Sequence, residues 1–488
     1  MAYNEAPSRD THSTRPFPIF KEYVVRPDST SGKDIEFLNG FIEPVKHEYE
    51  EENEFHFIKR DGSESLVASQ VALKIRGLHY WKDQQKLIYC ADDNVYVYNI
   101  ATTVISTLSN FFGTTTGRVG FCEFLYDDNT TVVIATDGTT LKSIDSSNTI
   151  VTCADGDLPT HLPYPVFLDG YLFLAEAGSA DIYNSNLNDP MLWEPGDFIS
   201  SEMEGDILKA ITKINNYLVA FGTNTIEYFW DAANASGSPL QRNDTPVKIN
   251  GFLGGLAQYG NNVYFVGNSV QSQPAIFFLE DLKIKELSNP TLQRNLSRTT
   301  TDFADWHGSI VAFQGHVFYV INVDTATYAY DVGTKQWAKW GYQSGSTFKI
   351  MHSTAIKAED GSYLSVFTLD QAASNVYVFR PTLYQDSATN FTAQIITGSE
   401  SFSTVNRKTM HRLSFYADSP TSDSSITVYW SDDDYVTWSS GISVNLKQDL
   451  PCCYRLGWFR QRAFKFTYTD NYPLRIQRVE VDINKGST

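Results

Sequence analysis

The sequence contains few cysteines, and those present do not form a recognisable set. They are odd in number and include no Cys-x-x-Cys pair: Cys90, Cys122, Cys153, Cys452 and Cys453. The two adjacent cysteines suit neither an ordinary disulfide nor tetrahedral metal ligation. We therefore expect free, mostly buried thiols from a reducing compartment rather than a disulfide-stapled secreted domain.

Long apolar runs are also missing. No stretch approaches the roughly 18 apolar residues that mark a membrane-spanning helix. The opening residues, MAYNEAPSRDTHSTRPF, lack the apolar segment of a signal peptide. We therefore expect no membrane-spanning segment, and synthesis in the cytoplasm.

Positively charged residues are fewer than negatively charged ones. The chain has 38 Lys and Arg against 57 Asp and Glu, a net charge of −19. Proteins grip nucleic acid mainly by neutralising its phosphates, so this chain is a poor candidate for direct DNA binding. The same charge is compatible with a protein that DNA merely passes, and it favours solubility.

Catalytic and cofactor signatures are absent as well. The nine histidines form no HExxH motif, and the sequence contains neither a GxxxxGK[ST] loop nor a GxGxxG fingerprint. Glycosidase chemistry needs two carboxylates at a defined separation, and nothing singles out such a pair among the acidic residues. We therefore predict no enzyme activity, no cofactor and no metal site.

Aromatic residues, in contrast, are abundant, with 28 Tyr and 31 Phe. These residue types favour β-strands. From about residue 77, a short apolar strand pattern, a turn and a second strand pattern recur in seven units. The units are Lys86–Leu108, Thr130–Cys153, Pro165–Asn186, Ile211–Ala232, Leu256–Leu287, Ser309–Trp340 and Ala355–Leu383. Repeats of about 40–50 residues with several strands each are typical of a β-propeller.

The fold class is therefore predicted to be all-β, a propeller with a C-terminal antiparallel β-module. Six or seven blades are expected, because propellers often close with a strand from the other terminus. We place an N-terminal arm with irregular and β segments at residues 1–76, the propeller at 77–384 and a sandwich-like module at 385–488. The one helix is predicted at Asn289–Ser297, where Asn-Pro supplies a cap and a first turn.

The stretch Ser425–Ile483 contains four strand patterns of the terminal module. Near its end, Leu474 and Ile476 have one parity and the next apolar residues have the other. A bulge near Gln477 and Arg478 would return all of them to one buried face.

Within the same stretch, the hairpin Ser431–Trp438 nearly matches an Asp box, S-x-D-x-G-x-T-W, with Tyr435 in the glycine position. Asp boxes occur in sialidases, so a carbohydrate-binding or sialidase-like propeller is the alternative function. That chemistry needs grouped arginines and a Tyr-Glu pair. No motif groups the arginines that we considered, Arg118, Arg242, Arg294 and Arg380. We therefore interpret the hairpin as structural.

A basic cluster lies between Cys452 and Arg478, with six Lys or Arg against one Asp. One interpretation is an assembly interface for an acidic partner, with aromatic and arginine anchors. Its candidate residues are Tyr454, Arg455, Trp458, Arg460 and Arg462. The other interpretation is that the arginines lie at the edge of the core and pair with carboxylates.

Two parts of the chain resemble one protein family. The first is Tyr217–Gln241 with the glycine-rich segment and short helix that follow it. The second is the terminal stretch with W-S-D-D, YRLGWFRQR and the closing RVEVDI. Both resemble the packaged-DNA stabilisation proteins of short-tailed bacteriophages, also called tail hub or nozzle proteins.

This resemblance implies a structural protein of the virion tail, made in the host cytoplasm. Its partners would be five further copies in a homo-hexamer, the portal and adaptor ring, and the tail needle or spike proteins. It would extend the DNA channel, help to retain packaged DNA and let DNA pass without specific binding. A host scaffold of the WD-repeat kind is disfavoured, because the Trp-Asp and Gly-His signatures of each blade are absent.

Overall fold

The computed structural model describes residues 12–19, 36–45, 54–234, 236–243, 248–249, 251–268, 273–299, 306–323, 326–342, 348–358 and 360–486. Within these ranges the chain forms 42 strands and one α-helix. The all-β prediction is therefore confirmed, and so is the position of the helix. It begins at Pro290, and the side chain of its N-cap Asn289 accepts a hydrogen bond from the Leu292 amide.

The first half of the chain contains twenty-two strands. They are β1 (His12–Phe17), β2 (Glu36–Leu38), β3 (Gly40–Val45), β4 (Glu54–Lys59), β5 (Gly62–Val67), β6 (Ile75–Trp81), β7 (Lys86–Ala91), β8 (Asn94–Asn99), β9 (Ile105–Leu108), β10 (Gly120–Leu125), β11 (Thr131–Thr136), β12 (Leu141–Ile144), β13 (Ile150–Thr152), β14 (Val166–Leu168), β15 (Tyr171–Ala175), β16 (Asp181–Asn186), β17 (Asp189–Ser200), β18 (Leu208–Ile214), β19 (Tyr217–Gly222), β20 (Thr225–Asp231), β21 (Leu240–Arg242) and β22 (Lys248–Ile249).

The second half contains the helix and the remaining strands. They are β23 (Phe252–Tyr259), β24 (Asn262–Asn268), β25 (Pro274–Glu280), β26 (Lys283–Glu286), α1 (Pro290–Ser297), β27 (Gly308–Phe313), β28 (His316–Val323), β29 (Ala326–Asp331), β30 (Gln336–Trp340), β31 (Ile350–Lys357), β32 (Tyr363–Leu369), β33 (Val376–Arg380), β34 (Gln385–Asp386), β35 (Thr389–Asn390), β36 (Ala393–Ile396), β37 (Lys408–Ala417), β38 (Ser425–Ser431), β39 (Ile442–Asn445), β40 (Cys452–Phe459), β41 (Ala463–Tyr468) and β42 (Arg475–Lys485).

The contacts divide the chain into two compact units. The propeller unit comprises residues 65–325 and 349–379, and the terminal unit comprises the residues up to 64, 326–348 and those from 380 onward. The terminal unit thus unites both ends of the sequence. The division that we predict at 76 and 384 follows the repeats instead, and it stays a prediction.

The propeller unit is a closed ring of sheets. Its antiparallel sheets are β6–β9, β10–β13, β14–β17, β18–β21 with β22, β23–β26, the hairpin β27–β28 and the strands β31–β33. The first strand of each sheet contacts the first strand of the next, in the order β6, β10, β14, β18, β23, β27, β31 and back to β6. Seven first strands therefore surround the axis, which fixes the blade number at seven.

Glycine permits the closest approaches between neighbouring first strands. A Cβ atom on Gly77 would lie 2.3 Å from the Val119 carbonyl oxygen, and one on Gly120 would lie 2.3 Å from the Pro163 oxygen. A Cβ on Gly308 would lie 2.0 Å from the Gly255 oxygen. No real Cβ atom tolerates such distances, so these positions require a residue without one.

Two serines join the last two sheets of the ring. The Ser353 hydroxyl donates to the Ile310 oxygen at 2.7 Å and accepts from the Ile310 amide at 3.0 Å. The Ser365 hydroxyl does the same for Ala312, donating to its oxygen at 3.0 Å and accepting from its amide at 2.7 Å. These bonds satisfy backbone groups on the edge of β27 opposite to the one that pairs with β28.

The terminal unit has two sheets around one hydrophobic core. The first sheet has the order β3-β4-β42-β37-β40, with β1 also paired to β42. The second includes β29-β30-β2-β36-β41-β38-β39. Buried side chains of both sheets, such as Val481 from the first and Val428 and Phe466 from the second, belong to the same core. Each buried side chain of this kind contributes about 1.5–3 kcal/mol to folding.

The predicted bulge near the end of the chain is present. Tyr416 pairs with Arg478 and the next residue of β37, Ala417, pairs with Ile476, so Gln477 is an extra residue on β42. The residues before and after it therefore all face the core. They are Leu474, Ile476, Val479, Val481 and Ile483.

Candidate assembly surface

The predicted interface residues lie mostly on β40, the last strand of the first sheet of the terminal unit. Cys453 and Phe459 of this strand face the core, while Tyr454 and Trp458 leave 59% and 63% of their surface exposed. An edge strand presents a face and a row of backbone groups to other chains. Two large exposed aromatic side chains on such a strand are unusual for a surface that meets only water.

A bulge shapes this edge. Met410 of β37 pairs with Gly457 and Arg412 pairs with Tyr454, so β40 has an extra residue between these pairs. Arg455 and Gly457 adopt positive φ angles of 62° and 75°. The bulge turns the exposed Arg455 out of the ladder and interrupts regular pairing along the edge.

Arginines surround Trp458. The Arg407 guanidinium lies 4.3 Å from the centre of a Trp458 ring, a cation–π contact. Arg460 is exposed and donates from Nη1 to the Val405 oxygen at 2.6 Å. Val405 itself has 77% of its surface exposed. The surface of Val405, Arg407, Tyr454, Arg455, Trp458 and Arg460 is called the Trp458 surface below.

The sequence gives no local signal for Val405 and Arg407, because they precede β37 and are distant from β40 in the chain. Their place on the surface follows only from the pairing of β37 with β40. Arg407 and Trp458 are far apart in the sequence, and the register between β37 and β40 makes their side chains neighbours.

Positive charge also gathers behind this surface. Lys408 is buried and donates from Nζ to the oxygens of Thr404 at 2.8 Å and Asn406 at 2.7 Å. Burial first, and then the charges of Lys485 and Arg460, lower the pKa of Lys408 from its usual value. An acidic partner would meet several cations here.

Arg462 does not belong to the exposed surface. Its side chain is 1% exposed and forms a two-point pair with Asp432, from Nε and Nη2 at 2.7 Å each. The structure therefore places Arg462 at the edge of the core, paired with a carboxylate, as the second interpretation predicts, and not among the exposed candidates. Arg462 has the same parity as Phe464 and Phe466, whose side chains are also buried.

A row of polar residues crosses the same sheet beside Tyr454. Thr14 of β1 donates to Asp482 of β42 at 2.5 Å, and Arg412 of β37 pairs with the same carboxylate at 2.9 Å. Arg412 is the register partner of Tyr454. The Arg412 charge is therefore neutralised within the chain, so it adds little to the positive charge of the Trp458 surface.

The Asp-box hairpin is a structural turn. The Asp433 carboxylate accepts hydrogen bonds from the Ser431 hydroxyl at 2.8 Å and the Thr437 amide at 2.9 Å. Tyr435 adopts a φ of 68°, a left-handed conformation that glycine adopts more easily than other residues. The tyrosine ring packs edge-on to Trp438, and its hydroxyl donates to the Thr397 oxygen at 2.9 Å. Tertiary contacts therefore hold the turn without glycine.

The arginines of the sialidase-like alternative lie on four separate elements. Arg242 pairs with Glu227 at 3.1 Å and Arg380 with Glu64 at 2.7 Å. Arg118 precedes β10, and Arg294 belongs to α1. No geometry in the described ranges groups them around one carboxylate. The described residues also contain no group of three or more His, Cys, Asp or Glu that could hold a metal ion.

The architecture and the site define a class of protein: a seven-bladed β-propeller with a β-sandwich-like terminal unit and an aromatic, basic surface. The family model described as "Bacteriophage P22 Gp10, beta-propeller" matches residues 76–383, more than half of the chain. The chain belongs to this family, whose members are structural phage proteins that stabilise DNA. Within the part of the chain that is described, no helix is long and apolar enough to cross a membrane.

Solved structures resemble the chain in fold only. Virginiamycin B lyase from Staphylococcus aureus is 13% identical, with a TM-score of 0.44 over 65% of this chain and 99% of the lyase. The N-terminal domain of Nup159 is 10% identical, with a TM-score of 0.41 over 69% of this chain and 98% of that domain. A comparison with curated proteins gave no match.

Proposed function

We propose that this chain is a structural component of the phage tail that forms a homo-hexameric ring below the portal and adaptor. There it extends the DNA channel, helps to retain the packaged DNA and carries the tail needle or spike proteins. The observation that carries the proposal is the family match across residues 76–383, because it covers the repeats rather than one short motif.

The Trp458 surface supports the ring. Aromatic residues and arginine supply most of the binding energy at protein interfaces, and here they stand together and exposed. A second copy of the chain, with its net charge of −19, offers acidic surface to these arginines. Tyr454, Arg455, Trp458 and Arg460 would therefore contact the neighbouring copy, while Arg462 holds β41 and the adjacent turn in place from within.

The acidic composition supports the role of a conduit. A channel wall that carries negative charge repels the phosphates of DNA, so DNA passes without being held at specific sites. Retention of packaged DNA then depends on closing the channel and not on gripping the double helix.

The experiment is a cryo-EM reconstruction of the virion together with light scattering of the purified chain. We expect the density of this chain in a ring below the adaptor and, at high protein concentration, a mass that moves from one copy toward six. Trp458→Ala should weaken this association at least tenfold, the loss typical of a central interface aromatic.

Tyr363→Ala is the matched control, since Tyr363 is an equally exposed aromatic residue, at 58%, in the propeller unit. It should leave the association unchanged. A virion in which this chain lies outside the tail, or a Trp458→Ala chain that still forms the ring with the original affinity, would contradict the proposal.

A further inference from the structure

One end of the propeller axis collects basic side chains from several blades. Arg118 lies two residues before β10, His307 directly precedes β27, and His352 lies near the beginning of β31. These are first strands of the ring, and β6 contacts both β10 and β31 while β27 contacts β31. Bonds of Val119 and His352 to β6, and the contact between His307 and His352, place the beginnings of these strands at the same end. We call this end the Arg118 mouth.

The backbone brings these residues together. The Val119 amide donates to the Arg76 oxygen at 2.9 Å, which joins the beginning of β10 to that of β6. His352 is bonded to the backbone of Ile75, also on β6. The rings of His307 and His352 lie 5.9 Å apart, edge to face. Neighbouring blades therefore hold an arginine and two histidines around one space.

One buried donor of Arg118 has no acceptor among the described residues. Its guanidinium lies over the ring of Tyr164, 4.8 Å from the ring centre, and its buried Nε has no hydrogen-bond partner among the described residues. An arginine has five N–H donors, and a buried donor without an acceptor costs about 1–3 kcal/mol. The aromatic face below it stabilises the charge but does not accept the in-plane N–H groups.

Arg76 lies at the same end of the ring, and its guanidinium has hydrogen-bond acceptors within the chain. Its guanidinium donates five hydrogen bonds, and all of the acceptors lie in the chain. The acceptors are the oxygens of Asp92, Gly117, Thr114 and Thr116 and the Thr114 hydroxyl. The described residues therefore supply acceptors all around the Arg76 guanidinium, whereas they supply none to the buried Nε of Arg118.

The positive charges nearby affect the pKa of His352. Burial first, and then the charges of Arg118 and His307, hold the pKa of His352 well below its usual value. A bound anion would neutralise this excess and raise the pKa again. The Arg118 side chain remains partly exposed, so a small ligand can reach it from solvent.

We propose that the Arg118 mouth binds a small oxyanion, a phosphate or a carboxylate. The planar fork of the guanidinium matches two oxygens of either group, and the histidine rings add further donors. This site is separate from the Trp458 surface and goes beyond the role of the chain in the ring. An anion that bridges blades here would stabilise the closure of the propeller.

The test is calorimetric titration of the full chain with inorganic phosphate at constant ionic strength, with acetate in a parallel titration. We expect saturable heat for at least one of the two ions. The one that binds at lower concentration identifies the source of the oxyanion. Arg118→Gln should lower the affinity at least tenfold and Arg118→Lys less. Arg298→Gln, which removes an exposed arginine of the same unit, should leave it unchanged.

A measurement on the unaltered chain keeps the test decisive if Arg118→Gln does not fold. The ring signals of His352 are followed by NMR against pH, with and without phosphate or acetate. Binding should raise the pKa of His352 by about one unit or more. The proposal is overturned if neither ion gives saturable heat, if Arg118→Gln binds as well as the original chain, or if the pKa of His352 does not move.

Discussion

Arg462 and Asp432 form a two-point ion pair in which the guanidinium is buried and the carboxylate reaches solvent. The remaining Nη1 of Arg462 donates to the Leu456 oxygen at 2.7 Å, and the guanidinium lies 4.4 Å from the centre of the Phe459 ring. One side chain thus links β41, the turn after β38 and the edge strand β40.

The first prediction concerns this pair. Asp432→Ala should destabilise the terminal unit by about 2–4 kcal/mol, because it leaves a buried guanidinium without its counter-charge, and solvent at the carboxylate limits the loss. Urea unfolding followed by tryptophan fluorescence measures it. Arg478→Ala removes half of an exposed pair with Glu480 and should cost less than about 1 kcal/mol. Equal losses in the two variants would contradict the argument.

The second prediction concerns the glycines of the ring. Gly77→Ala and Gly120→Ala should each destabilise the propeller unit by about 1–3 kcal/mol, because the added Cβ meets a backbone oxygen that cannot move aside. The melting temperature of the full chain measures the effect. Gly113→Ala, where nothing lies within 4 Å of the added atom, should change stability by less than about 0.5 kcal/mol. A tolerated Gly120→Ala would show that the first strands can separate.

The third prediction concerns the Asp-box hairpin at acid pH. Hydrogen bonds from Thr437 and Ser431 lower the pKa of Asp433 to about 2. Because the pKa in the folded chain is below that of the unfolded chain, this stabilisation is present above about pH 4. It is lost as the pH falls through 2. The Thr437 amide signal should therefore shift between pH 4 and pH 2, and Asp433→Asn should abolish the shift. A transition centred at pH 4 would contradict the argument.

The fourth prediction concerns alkaline pH. Lys59 is buried, donates to the oxygens of Tyr384 at 3.1 Å and Asp470 at 2.8 Å, and lies over the Phe391 ring. Burial first, and then Arg60, lower the pKa of Lys59 to about 7. The unfolded chain keeps this proton up to about pH 10 while the folded chain releases it near 7. Stability therefore rises with pH in that window, by up to about 1.4 kcal/mol per pH unit.

Urea unfolding at a series of pH values from 7 to 9.5 measures this slope. Lys59→Met removes the titrating group and should flatten the slope. Lys447→Met, which changes an exposed lysine of the same unit, should preserve it. A slope that survives in Lys59→Met would assign the pH dependence to other groups.

Local patterns predicted much of the fold. The Asn289-Pro290 pair predicted where the helix begins, because a helix cap acts over a few residues. Each of the seven sequence units corresponds to one sheet of the ring. The parity change near Gln477 predicted its bulge, since every apolar residue there had to reach one core.

Local patterns could not predict which strands and side chains pair when they are far apart in the sequence. Nothing in the sequence around β4 shows that β42 is its partner, and nothing around Lys59 and Arg60 shows that both are buried. Arg60 lies at 0% exposure because Asp386, more than three hundred positions away, accepts two of its hydrogen bonds. The Trp458 surface was predicted only in part for the same reason, since Arg407 joins it through the register of β37.

The central place of β42 in its sheet bears on synthesis. A ribosome releases β1 and β4 early, yet β42, which pairs with both of them, emerges only after the whole propeller sequence has been translated. During translation, the edges of the early strands that pair with β42 stay unpaired while the blades form. β42 then completes the sheet between β4 and β37. A chain that stops before β42 would keep its blades but expose those edges, which makes truncated products targets for aggregation or proteolysis.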